Sequence, residues 1–133
     1  SHGDMGTAFD YNLDGKIDLL NGDDDNGLWH MYQNNTDTNA QHYLLTRIGY
    51  SSTGVDAINA RVTITTDSGS QTKLIGSTSA SHSQSVLNIA HFGLAKDKQV
   101  NEIKVRWRDG SEATLKNVKS DSIQLVGLVK PNK

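Results

Sequence analysis

The 133-residue chain contains no cysteine and a single proline. Without thiols it can form neither disulfides nor thiolate metal sites, and it has no cysteine nucleophile, so any stabiliser beyond an ordinary core must come from other chemistry. No apolar run approaches the roughly 20 residues that span a bilayer, and no basic segment followed by an apolar stretch opens the chain. Membrane insertion is therefore not expected. Helix signals are missing as well, since no long stretch places apolar residues at i, i+3, i+4 and i+7. What is present is a globular composition, 35% hydrophobic and 21% charged with twelve glycines, in a chain long enough for one core.

Charge divides unevenly along the chain. Residues 1–40 hold eight Asp against Lys16 alone, whereas the remainder holds twelve Lys or Arg against seven Asp or Glu. Carboxylates crowded this closely repel one another unless a cation sits among them. The later basic excess is mild, and with a formal net charge of −2 and no recognition motif, nucleic-acid binding is not expected.

Short β-branched runs separated by Gly, Asp, Asn and Ser predict an all-β chain. Strands are expected over 17–21, 28–33, 43–49, 61–66, 72–76, 85–89, 102–107, 113–115 and 122–126. Asp67-Ser68-Gly69-Ser70 and Arg108-Asp109-Gly110-Ser111 carry the turn chemistry of β-hairpins. Over residues 103–108 apolar and basic side chains alternate at the strand period, which sends Ile103, Val105 and Trp107 into a core and turns Lys104, Arg106 and Arg108 towards water or a ligand. Trp29, Tyr32, Tyr43 and Tyr50 sit in strand-like segments and read as core aromatics rather than sugar-stacking platforms. The polar stretch 34–41 has no periodicity, so the boundary falls near Asn39, between an N-terminal segment 1–38 and a main domain 39–133.

The segment Asp10-Tyr11-Asn12-Leu13-Asp14-Gly15-Lys16-Ile17-Asp18 places oxygen-bearing side chains at loop positions one, three, five and nine, with Gly at six. Alternate residues of a tight loop point inward, Gly15 allows the sharp turn, and the Lys16 carbonyl adds an oxygen at position seven. A set of hard oxygens formed by Asp10, Asn12, Asp14, Lys16 and Asp18, with no soft ligand nearby, favours calcium. The loop departs from the EF-hand pattern: position twelve is Asn21 rather than Glu, and the residues that follow read as a strand. The acid run 23–25 lacks the alternation and reads as an exposed turn, and none of the five His has the paired spacing of a zinc site.

These residues resemble two families. The Asp loop and its flanks, from Gly3 to Asn35, look like one FG-GAP or VCBS repeat, which implies a single calcium-loop blade unit of a β-propeller whose other blades lie elsewhere in a parent chain. From about His42 to Val126 the chain resembles the ASPIC/UnbV family through Ala57-Ile58-Asn59-Ala60-Arg61-Val62, His91-Phe92-Gly93-Leu94 and Val105-Arg106-Trp107-Arg108-Asp109-Gly110. Ala95 and Arg108 stand where that family usually has Gly and Pro. The pairing of the two units is similar to that in proteins resembling cartilage acidic protein. The resemblance implies an extracellular, cell-surface or periplasmic β domain and brings no catalytic residues.

The expected architecture is thus all-β, an antiparallel β-sandwich-like domain preceded by a partial propeller-type calcium-loop repeat. The expected function is that of a noncatalytic, calcium-stabilised recognition or adhesion module. Its ligand would be an acidic polysaccharide or an extracellular protein, met by Lys104, Arg106 and Arg108, whose spacing along a strand suits repeated carboxylates or sulfates. The alternative is a purely structural domain that caps a propeller or packs against a larger enzyme. Hydrolysis by Ser83 with His82 or His91 has no supporting motif.

Overall fold

The computed structural model describes residues 5–23, 27–76 and 88–130. They form ten strands: β1 (Met5–Phe9), β2 (Asp18–Asp23), β3 (Leu28–Tyr32), β4 (His42–Ile48), β5 (Arg61–Thr66), β6 (Gly69–Leu74), β7 (Ile89–Ala95), β8 (Gln99–Arg106), β9 (Glu112–Lys119) and β10 (Ser122–Val126). Among the described residues there is no helix, and so none long and apolar enough to cross a membrane.

Three sheets result. The first three strands make an antiparallel meander ordered β1-β2-β3, while the main domain pairs a three-stranded sheet, β10-β4-β7, with a four-stranded one, β6-β5-β8-β9. Both predicted hairpins are present, β5 with β6 and β8 with β9. Leu44, Ile48, Phe92 and Leu94 from the smaller sheet meet Val62, Ile64, Ile103 and Val105 from the larger in one buried cluster. Ile103, Val105 and Trp107 are at most 2% exposed, as their alternation predicts. Each wholly buried side chain of this size contributes about 1.5–3 kcal/mol. Trp107 also closes one end of the sandwich, because its Nε1–H donates to the Gly49 carbonyl at 3.0 Å.

The antiparallel expectation fails at one strand. β10 runs parallel to β4, with Ser122 opposite Leu44 and Val126 opposite Ile48. Tight hairpins impose antiparallel pairing only on strands that follow one another, and β10 arrives from the facing sheet through Asp121, whose φ is +58°. Strand β1 is not among the expected strands, and of the segment predicted at 85–89 the described part is Asn88, in a turn, and Ile89, which opens β7; residues 85–87 lie outside the described residues, as do 24–26 of the acid run and the hydrolase candidates His82 and Ser83.

Leu45 is fully buried yet alternates out of the sandwich core. On that side Phe9 and Ile17 of the N-terminal unit border one small cavity with Leu45, Leu74 and Ile89. The meander itself is poorly covered. Trp29 and Tyr32 are 58% and 54% exposed, a correction to their expected place in a core. A sheet of three short strands with apolar residues on both faces cannot bury either face alone.

Candidate functional site

The Asp loop connects β1 to β2, and its carboxylates organise its own main chain. Asp10 Oδ1 accepts the Asp14 N–H at 3.0 Å and Oδ2 the Gly15 N–H at 2.7 Å. Asp18 Oδ2 accepts the Tyr11 N–H at 3.2 Å, and its Oδ1 reaches into the linker to accept the Asn34 N–H at 2.8 Å. Asp14 Oδ1 accepts the Lys16 N–H at 2.9 Å, and Asn12 bonds to Asp14 through both its amide oxygen and its amide nitrogen. Asp10 and Asp18 are buried, and among the described residues neither forms an ion pair with Lys, Arg or His. Buried carboxylates without a cationic partner are costly.

A divalent cation of the hard class suits this donor chemistry, because each carboxylate oxygen that accepts an amide proton keeps a second lone pair. Among the described residues no three Asp, Glu or His side chains converge as a cage. Asp10, Asn12, Asp14 and Asp18 are instead tied by hydrogen bonds to the loop's own main chain.

The loop is seated on the sandwich by residues that sequence reasoning did not select. His91 Nε2 lies 2.7 Å from the Gly15 carbonyl. A carbonyl only accepts, so Nε2 must carry the proton. The Tyr43 ring packs parallel to His91, with centroids 6.3 Å apart, and lies directly against Gly15. Burial, followed by the negative charges of Asp121, Asp10 and Asp14, pushes the Tyr43 hydroxyl above its ordinary pKa. The loop and the domain enclose a polar cleft of about 430 Å³, bordered by Asp14, Lys16, Asn34, His42 and Asp121 among others. His42 Nδ1 and Asp121 Oδ2 are 2.6 Å apart. Burial alone would raise the Asp121 pKa, but hydrogen bonds from His42, Ser120 and the Tyr43 amide outweigh it and hold the carboxyl low.

The basic row is less uniform than its alternation suggests. Lys104 and Arg106 project from the outer face of β8, an interior strand between β5 and β9, and Arg108 lies in the turn beyond it. Lys104 Nζ meets Glu112 at 3.4 Å. Arg108 grips Asp56 with two hydrogen bonds, of 2.5 and 3.1 Å. Arg61, which the row did not include, stands directly opposite Arg106 across the β5–β8 pair.

At the same end of the sandwich, hydrogen bonds from Ser111 and Thr53 hold the Asp109 carboxyl down to about 2, and the bond from Arg108 lowers Asp56. Both folded-state values lie below the ordinary 3.8. Their stabilising contribution is therefore complete above about 4 and disappears as pH falls towards 2. Denaturant midpoints measured between pH 5 and pH 2 should decline, and Asp109→Asn should flatten part of that decline. An unchanged slope in the variant would mean that the Thr53 and Ser111 bonds add nothing.

A family model described as ASPIC and UnbV matches residues 50–131. No curated protein matches the chain. The matched segment runs from just after β4 to beyond β10 and includes the buried Ile103, Val105 and Trp107 as well as the outward Lys104 and Arg106. It accounts for more than half of the chain, which therefore belongs to the ASPIC and UnbV family.

Proposed function

We propose that the protein is a noncatalytic, calcium-stabilised module of an extracellular, cell-surface or periplasmic protein, in which the acidic loop anchors the N-terminal meander to the ASPIC/UnbV sandwich and leaves the outer face of the large sheet free to recognise an acidic polysaccharide or a protein. The observation that carries this reading is the position of Asp10 and Asp18: both are buried and, among the described residues, without a cationic partner, in a loop whose backbone is bonded to His91. A calcium ion there would relieve the buried charge and stiffen the surface presented to His91 and Tyr43. Native-state binding stabilises by about 2.7 kcal/mol when the ligand stands at a hundred times its Kd. Thermal unfolding should therefore shift upward by several degrees in millimolar calcium relative to chelator, and the shift should vanish in Asp14→Ala. Identical melting of the wild-type protein in calcium and in chelator would end the calcium reading.

A second reading has its own support. Strand β3 is exposed along its whole length, and Leu19, Leu28, Trp29 and Tyr32 are each at least 45% exposed. An antiparallel meander that is apolar on both faces is suited to stacking between other sheets. This fits one FG-GAP or VCBS blade unit, paired with its sandwich in the manner of proteins similar to cartilage acidic protein. On that reading the module is structural, and its partners are the remaining blades of a propeller.

A further inference from the structure

The outer face of the four-stranded sheet carries an unbalanced group of positive charges. Arg61 and Arg106 are directly opposed across β5 and β8, and both are exposed and flanked by the buried Val62 and Val105, so their side chains rise from the same face. Directly opposed side chains in a sheet stand about 5 Å apart at Cβ, and like charges in that arrangement are destabilising. Nearby carboxylates do not cancel them. Glu112 lies opposite Arg106 in the β8–β9 register but forms its ion pair with Lys104, and Asp56 is held by Arg108. Among the described residues, Arg61 and Arg106 have no ion-pair partner. They border a groove of about 230 Å³ together with Asn59, Leu74, Trp107 and Arg108.

We propose that this groove binds the sulfate or carboxylate groups of an acidic polysaccharide, with Arg61 and Arg106 as the paired anchors and Arg108, pinned by Asp56, as a fixed wall. The inference deepens the recognition reading above and rests on it. Guanidinium groups form planar, bidentate, charge-assisted bonds to oxyanions, and an anion between two opposed guanidinium groups replaces their repulsion with attraction to both. Beside the groove, the hydroxyls of Thr63 and Thr72 (2.9 Å) and of Thr65 and Ser70 (3.2 Å) form two rows across β5 and β6. Such rows suit the hydroxyls of a sugar chain. Strands β5, β6, β8 and β9 contain no aromatic residue, which argues against a single-stranded nucleic acid, whose bases need stacking platforms.

The test is binding at low ionic strength to dextran sulfate, polygalacturonate, neutral dextran and duplex DNA. Three proteins are compared: the wild type, Arg61→Gln/Arg106→Gln, and a charge-matched control, Lys96→Ala/Lys98→Ala, altered in the β7–β8 turn. Melting temperatures confirm that each variant is folded. Dextran sulfate or polygalacturonate should bind the wild type, and the arginine variant should bind about tenfold more weakly or worse, as expected when two charge-assisted contacts are lost. The lysine control should stay within about twofold of wild type, because charges remote from the groove contribute little. Neutral dextran should not bind. Equal loss in the control, or DNA bound as tightly as the polysaccharides, overturns the proposal. Polysaccharide binding that survives the arginine substitutions overturns the groove alone and leaves the recognition reading standing; no binding of either acidic polymer overturns the groove and the polysaccharide half of that reading together, leaving a protein as its ligand.

Discussion

Gly15→Ala is expected to unseat the acidic loop from the sandwich. Gly15 has a φ of +90°, which costs an L-residue about 1–2 kcal/mol. An added Cβ would also lie 2.2 Å from Tyr43 Cδ1 and 2.6 Å from Cγ. The second distance matters more, because Cγ sits next to the backbone of β4 and cannot swing clear as the far end of the ring could. The ring is confined on another side by its packing with His91. Strain and overpacking together should cost about 3 kcal/mol of docking. The His91 Nε2–H signal should lose its protection from solvent exchange, and under the calcium proposal affinity for the ion should fall because the turn at loop position six is distorted. A variant with wild-type melting, wild-type exchange and wild-type calcium response would show that Gly15 does not rest against Tyr43.

Phe92→Ala should have the largest effect on the sandwich itself. Phe92 has no solvent exposure and is the largest wholly buried side chain, lying in the cluster shared by both sheets. Its truncation removes a full aromatic ring from a site whose walls are strands of two different sheets, and these cannot collapse onto the void without breaking register. The expected loss is about 3–5 kcal/mol, or a melting temperature lowered by roughly 10–20 °C for a chain of this size. Phe92→Leu, which keeps much of the volume, should cost about 1.5 kcal/mol. Equal losses for the two substitutions would contradict a closely packed interior.

The features legible from sequence are those set by neighbours along the chain. Hairpin chemistry at Asp67-Ser68 and Asp109-Gly110 identified two strand pairs, and the alternation from Ile103 to Trp107 identified the face they bury, because both depend on the two-residue period of a strand. The spacing of the Asp loop also singles out Asp10, Asp14 and Asp18, and in the structure their carboxylates hold the loop's own amides. Its seat on the domain was not legible: the Gly15–His91 bond spans 76 residues and the His42–Asp121 contact 79. The pairing of Arg61 with Arg106 depends on the register of two strands separated by β6 and β7, so the basic row was read along one strand while the charge in fact gathers across two. Aromatic β segments are usually covered, which places Trp29 and Tyr32 in a core on sequence alone, and their exposure reflects the small size of the meander. Ala95 occupies a left-handed position, φ +49°, a conformation that favours glycine.

The parallel pairing of β10 with β4 also bears on how the chain reaches this state. Parallel partners cannot zip outward from a turn, and here 78 residues separate Leu44 from Ser122, so closing that loop forfeits chain entropy before any ladder bond forms. Strand β4 can pair early with β7 on its other side, yet its free edge stays open until Val126 has left the ribosome. During synthesis the smaller sheet is therefore a two-stranded edge awaiting its last strand, and β10 acts as the closing step that commits the sandwich.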